Sequence, residues 1–356
     1  MTNRYRRYIP TLDGWRAIAI ILVVFCHDEV HRIGPISSSW LTEHGGTGVN
    51  VFFAISGMLI CTLLLDEEQE SGSISLRQFY VRRAFRILPA ATTYLVVIGL
   101  LGAFGVIAVR GIDWLGSLFF FRNYLPNDPS VWYTCHFWSL SVEEHFYLLL
   151  PGFLVLFRKH RQQVLLFVGI SVLIAFSIAK RSRFFTDRTA LDWSDFTLAG
   201  LLIAAAAAVY LRQPRLALAA SRLLKPLPII ILVVAVITLD KFETILVPFL
   251  MVALVSSTIL NPSSAVAALL ESRPLRFIGK RSYSLYLWQQ LFMTAQMRSK
   301  SMDFLLQIWP LSILAAFTCA CLSYSLIEKP SIEFGRRILR HHMLLKDREK
   351  DLQPSL

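Results

Sequence analysis

The sequence predicts an all-α polytopic integral membrane protein, with about ten transmembrane helices and both termini in the cytoplasm. Three observations carry that prediction. The composition is too apolar for one soluble core, apolar runs of spanning length recur along the chain, and Lys and Arg gather in alternate connections.

Of the 356 residues, 55% are hydrophobic and only 17% charged, and the mean hydropathy is +0.53. Soluble domains carry nearer one quarter charged residues. Disordered, collagenous and disulfide-framework classes are excluded. The five cysteines are odd in number, and four lie in apolar runs where a thiol behaves as a small hydrophobe. One span takes roughly 20 mostly apolar residues, so this composition furnishes roughly ten and leaves little for a soluble domain.

The candidate spans are 12–32, 47–65, 87–109, 142–157, 163–179, 196–211, 227–240, 244–260, 282–297 and 304–327. The first begins after a basic stretch, but it lacks a small-residue cleavage site and holds His27, so it reads as an uncleaved span rather than a signal peptide. The seventh and eighth meet at Asp240–Lys241, a candidate helical hairpin. The polar segments 66–86 and 110–141 read as long connections. With the N-terminus inside, 26 of the 36 Lys and Arg fall in inner segments, which puts both termini in the cytoplasm and explains the net charge of +12 without nucleic acid. Residues 1–335 read as a membrane core and 336–356 as a basic cytoplasmic tail, lying on anionic headgroups or serving as a stop-transfer flank.

Arg16 and His27 are eleven residues apart, so on a helix they point within about 20° of each other and about 16 Å apart along the axis. Ionisable groups inside a span are costly and mark functional sites. Asp13 lies three residues before Arg16 and can pair with it. Arg82, Arg83 and Arg86 close the inner 66–86 segment, with Arg83 and Arg86 on one helix face. Glu143 and Glu144 open the fourth span about 100° apart and so take different roles. One is a candidate partner for His27. The other is a candidate capping-box residue, with Ser141 as N-cap and Glu144 three positions on. Asn50, Ser56, Ser139 and Ser141 are candidates for an acceptor path, or for helix-packing contacts. Ser282, Tyr286 and Gln289 share one helical face, and Tyr283 and Tyr286 also fit the aromatic belt. Trp114, Trp132, Tyr133 and Trp138 suit stacking on a sugar or anchoring at the interface. Cys135-His136 alone is not a metal pattern, and no glycine-rich nucleotide loop is present.

Six ordered stretches resemble the membrane-bound acyltransferase 3 family. They are Thr11-Leu-Asp-Gly-Trp-Arg-Ala-Ile-Ala with His27, Gly48-Val-Asn-Val-Phe-Phe-Ala-Ile-Ser-Gly57, Arg82-Arg83-Ala-Phe-Arg86-Ile-Leu-Pro89, Phe137-Trp-Ser-Leu-Ser-Val-Glu-Glu-His-Phe-Tyr147, Ile278-Gly-Lys-Arg-Ser-Tyr-Ser-Leu-Tyr-Leu-Trp288 and Ile327-Glu-Lys-Pro330. The resemblance implies a ten-span core that moves an acyl group, usually acetyl from acetyl-CoA, to a hydroxyl of a glycan, lipid or small molecule. It implies that Arg16 and His27 form the family's Arg-x10-His pair, and Arg83 and Arg86 its Arg-x-x-Arg motif. Arginine suits polyanionic CoA, and imidazole suits either general-base or covalent-relay chemistry. His145 stands where the family commonly has Gln, and Gln289 where it often has His. Many relatives add a soluble esterase-like domain. The expectation here is none, with any extracytoplasmic partner a separate protein. The setting implied is a bacterial inner membrane, with membrane lipids and a glycan or lipid-linked glycan as partners. The competing class is a transporter or flippase for an anionic amphiphile, with His27, Glu143 and Glu144 relaying protons.

Overall fold

The computed structural model describes residues 8–27, 44–126, 132–181, 191–239, 243–293, 305–307 and 310–352, and it is all-helical. The expected Asp240–Lys241 hairpin lies outside these residues.

Helix α1 (Pro10–His27) starts on a proline, whose missing N–H costs nothing at a first turn, with Asp13 at the positive end of the helix dipole. Helix α2 (Thr47–Ser71) stops at Gly72, which takes φ 79° and donates its N–H to the Glu68 carbonyl. Helix α3 (Leu76–Ala103) starts on Ser75, whose hydroxyl caps the Gln78 N–H. The expected polar connection 66–86 is therefore mostly helix, and only Gly72–Ser75 links α2 to α3. The reason is pairing of the charged turns: Arg82–Glu67 at 2.6 Å, Arg161–Glu68 at 2.6 Å and Arg212–Asp66 at 2.7 Å let the helices run on past the apolar part.

Next come α4 (Gly111–Leu118), the single turn α5 (Trp132–Cys135), α6 (Phe137–Leu156), α7 (Arg161–Arg181) and α8 (Leu191–Tyr210). They are followed by α9 (Pro214–Leu223), α10 (Pro226–Leu239), α11 (Glu243–Leu260), α12 (Ala265–Leu270), α13 (Arg273–Lys280) and α14 (Ser282–Phe292). The chain closes with α15 (Leu311–Ser323), a π-turn at Tyr324–Glu328, and α16 (Lys329–Leu352).

Helices overlap all ten expected ranges, but the one in 282–297, Ser282–Phe292, is not among the apolar ones, and fewer still are long enough to span. Among the described residues five stretches are long and apolar enough to cross a membrane: Pro10–His27, Thr47–Ser71, Leu76–Ala103, Trp132–Leu156 and Leu311–His341. A sixth arises if Leu198–Tyr210 and Pro214–Leu223 count as one span, but these bend by 118°. The apolar parts of α7, α10 and α11 have only 10–17 residues, short of the roughly 20 that a 30 Å hydrocarbon layer needs. The protein is thus an integral membrane protein with five or six candidate spans among the described residues. The 335/336 boundary falls inside α16, which packs on α3 through the Phe85–Phe334 ring pair at 5.6 Å and buries Leu339.

Three apolar clusters make the core. One joins α1, α2, α7, α8, α10, α11 and α12; a second joins α1, α3, α6, α14 and α15; a third joins α2, α3, α6, α7 and α8. Phe52 packs on the first two, and Val49 and Tyr283 on the last two. Close crossings hold α1 in the middle. Gly279 of α13 lies against the Asp13 carbonyl and Gly48 of α2 against the Ala19 carbonyl, where any Cβ would collide.

Candidate functional site

A cavity with about 90 Å³ of free space opens where the clusters meet. Its polar lining is Arg16 from α1, Ser56 from α2, Arg83 and Arg86 from α3, Ser139, Glu143 and Tyr147 from α6, and Ser282, Tyr283 and Tyr286 from α14. Arg16, Arg83, Arg86, Glu143, Ser139 and Tyr286, expected from the sequence at positions up to 270 residues apart, meet there.

The helical period explains the gathering. On α6 the positions 139, 143 and 147 recur every four residues, and on α14 Ser282 and Tyr286 are also four apart. Glu143 accepts from the Ser56 hydroxyl at 2.5 Å and from the Tyr147 hydroxyl at 3.2 Å. The Arg83 guanidinium sits 4.4 Å from the centre of the Tyr147 ring. Arg16 pairs with Asp13 at 3.4 Å. Arg83 and Arg86 have no ion pair among the described residues, and Glu143 is the only carboxylate on the described wall. Glu328, buried and accepting from Ser284 at 2.8 Å, stands behind the wall near Arg86. The excess of fixed positive charge suits an anion.

His27 does not line this cavity. It sits at the far end of α1, its ring edge-on to Trp132 at 5.5 Å, with the Gln289 side chain and the Val23 carbonyl beside it. A polar seam joins it to the arginines. Ser139 and Tyr286 hydroxyls meet at 2.6 Å, and the Tyr286 hydroxyl also donates to the His136 carbonyl at 3.0 Å. His136 is buried, and its ring packs against the Tyr286 ring at 5.5 Å. Gln289, one turn beyond Tyr286 on α14, completes the seam.

Several expectations need correcting. Neither Glu143 nor Glu144 is in contact with His27: Glu143 accepts from Ser56 and Tyr147 beside Arg83, and Gln289 is the side chain beside the imidazole. Ser141 is not an N-cap: α6 begins at Phe137, and the Ser141 hydroxyl donates back to the Phe137 carbonyl at 2.8 Å, so no capping box forms with Glu144. Asp13 serves the Arg16 pair and accepts from the Tyr8 hydroxyl outside the cavity, and Asn50 is also absent from its wall. The tryptophans are packing groups. Trp114 donates to the Leu95 carbonyl at 2.8 Å, Trp132 to the Gln290 carbonyl at 3.1 Å, and Trp138 faces Phe53. Tyr286 is buried in the seam rather than placed in an interfacial belt. His145 stacks on Tyr124 at 5.6 Å, away from the cavity wall. Sequence reasoning missed Tyr147, Glu328 and His136. The first was detectable as Glu143 plus four, the second as a lone acid closing an apolar run. The third is weighed only in Cys135-His136, as a metal pattern, and set aside. No group of three or more His, Cys, Asp or Glu is placed to hold a metal ion among the described residues.

A family described as an acyltransferase domain matches residues 9–328. "Peptidoglycan O-acetyltransferase OatA" of Listeria monocytogenes is 29% identical over 92% of this chain and 57% of its own length. "Putative O-acetyltransferase SACOL0978" of Staphylococcus aureus is 31% identical over 94% and 59%. "Putative peptidoglycan O-acetyltransferase YrhL" of Bacillus subtilis is 30% identical over 96% and 58%. The chain therefore spans a little under three fifths of the length of these relatives. No solved structure matches it.

Proposed function

The chain belongs to the acyltransferase 3 family, and from that premise we propose that it is an integral membrane O-acetyltransferase, moving an acetyl group from cytoplasmic acetyl-CoA to a hydroxyl of a cell-envelope glycan. Both termini face the cytoplasm of a bacterial inner membrane in this reading. The named relatives make peptidoglycan the first acceptor to try.

The observation that carries the proposal is the arginine-lined cavity with its polar seam to His27. Guanidinium groups without a carboxylate partner fit a polyanionic donor, because they bind phosphate through paired hydrogen bonds. Arg83 and Arg86 would hold the anionic part, and Arg16 the inner end of the path. The free space suits a slender chain rather than a nucleotide, so the arginines grip what passes along the wall. When bound, acyl-CoA supplies an activated thioester carbonyl. Tyr147 fixes the Arg83 plane, and Glu143 keeps Ser56 and Tyr147 in place. His27, about 16 Å along α1 from Arg16, takes the proton of the acceptor hydroxyl or carries the acyl group itself.

The test is thiol release from acetyl-CoA by the purified full chain in lipid nanodiscs, with and without glycan fragments, together with mass spectrometry of the glycan product. Release that depends on the glycan, acetylated product, and loss of both in His27→Ala are expected. Transport of an anionic amphiphile without thiol release would overturn the enzyme reading and favour the transporter.

A further inference from the structure

Buried polar atoms without a hydrogen bond lie at the His27 end of the seam. They are Nδ1 of the half-buried His27, both amide atoms of the buried Gln289 and both ring nitrogens of the buried His136. They come from three separate elements: α1, α14 and the residue that leads into α6. Gln289 has no exposed surface and His136 is 2% exposed. Gln289 lies against the imidazole of His27, at a geometry that leaves its own amide unpaired. Buried polar groups are nearly always paired, so such a cluster calls for an explanation, and a bound polar group is the direct one.

Much of the surrounding shell is bonded, although Gln290 Oε1 and the Trp288 indole N–H also lack partners. Trp132 and Gln290 exchange hydrogen bonds, the indole donating to the Gln290 carbonyl at 3.1 Å and the Gln290 amide to the Trp132 carbonyl at 3.0 Å. Tyr94 donates to the Tyr133 carbonyl at 2.8 Å, and Tyr286 donates to the His136 carbonyl at 3.0 Å. The His136 ring is fixed between Tyr94, Phe137 and Tyr286 at 5.3, 4.9 and 5.5 Å. These contacts hold the ring and the 132–136 backbone in place while leaving the ring nitrogens unpaired. That is preorganisation: donors held ready before charge develops.

We propose that His136 and Gln289 are the two N–H donors that bind the oxygen of the reacting acyl carbonyl, opposite His27. The inference rests on the acyltransferase reading above and adds to it the groups that stabilise negative charge. In the general-base form, His27 takes the proton of the acceptor hydroxyl as the new O–C bond forms at the carbonyl carbon. The electron pair displaced onto the carbonyl oxygen is held by the His136 and Gln289 N–H groups. It returns as the C–S bond breaks, and the His27 imidazolium gives its proton to the departing sulfur. Both donors are uncharged in this reading, so the buried seam gains no permanent charge from them. Arg16, Arg83 and Arg86 act elsewhere on the donor.

The experiment uses the full chain in lipid nanodiscs with acetyl-CoA and peptidoglycan fragments. It compares the wild type with Gln289→Leu, Gln289→His, His136→Phe and the double variant Gln289→Leu/His136→Phe. Loss of one such donor lowers kcat by about 10²–10³-fold with the KM for acetyl-CoA little changed, because the bond strengthens only as charge develops. Gln289→His keeps an N–H and retains at least about a tenth of wild-type kcat. The double variant falls less than the product of the singles, because the donors share one oxygen. Gln289→Leu conserves volume and carries the test should His136→Phe fail to fold. A folded, active wild type with kcat unchanged in Gln289→Leu, or a loss matched by a rise in KM, overturns this inference and leaves the acyltransferase reading standing. A wild type that releases no thiol overturns both.

Discussion

Arg82 and Arg83 are neighbours in sequence, yet α3 sends them to opposite environments, and this gives a sharp prediction. Arg82 is exposed and engaged, with its guanidinium 2.6 Å from Glu67 and 3.3 Å from Gln78. Exposed pairs of this kind contribute about 0–1 kcal/mol. Arg83 faces the cavity, has no ion pair among the described residues and rests 4.4 Å from the Tyr147 ring centre. A charge-assisted hydrogen bond from it to a donor phosphate contributes about 1.5–3 kcal/mol. At 1.4 kcal/mol per factor of ten, Arg83→Ala should weaken CoA binding by about 12- to 140-fold, while Arg82→Ala changes it by less than about threefold. The assay is equilibrium binding of CoA to purified protein in nanodiscs, with thermal melting to confirm that both variants fold. Equal losses in the two variants, or a larger loss in Arg82→Ala, would refute the assignment of the cavity as the donor site.

Three further outcomes follow from the same contacts. Tyr147→Phe keeps the ring under Arg83 but removes the hydroxyl donated to Glu143, so CoA binding should weaken by no more than about tenfold, whereas Tyr147→Leu loses both contacts and should weaken it further. Gly279→Ala places a methyl into the Asp13 carbonyl; the strain of overpacking, about 1–3 kcal/mol, should lower the melting temperature in detergent, and an unchanged value would refute that crossing. His145→Gln removes a ring that stacks on Tyr124 away from the cavity, so kcat should stay within about threefold of wild type, and a larger loss would place His145 in the reaction path.

The sequence by itself determined the class of the molecule and the chemistry it carries. Apolar runs of spanning length can be buried only in helices within a lipid layer, so the all-helical membrane architecture was legible from composition and hydropathy. The eleven-residue spacing of Arg16 and His27 also determined their relation, because helix geometry makes it a local property of one element. The same holds for the Ser282–Tyr286–Gln289 face of α14. Tertiary packing decided which chemistry meets which. Nothing local says that Glu143 turns toward Arg83 rather than His27; that depends on how α6 packs between α2 and α3. Nothing local says that Arg82 is spent on Glu67 while Arg83 has no ion pair among the described residues, or that Gln289 comes to lie beside the His27 imidazole. Helix lengths followed the same division. Hydropathy marked where apolar residues lie, but ion pairs formed across the bundle by Asp66, Glu67 and Glu68 set how far the helices extend. Periodicity is a property of one helix, whereas pairing is a property of two or more, and only the folded bundle brings those partners within bonding distance.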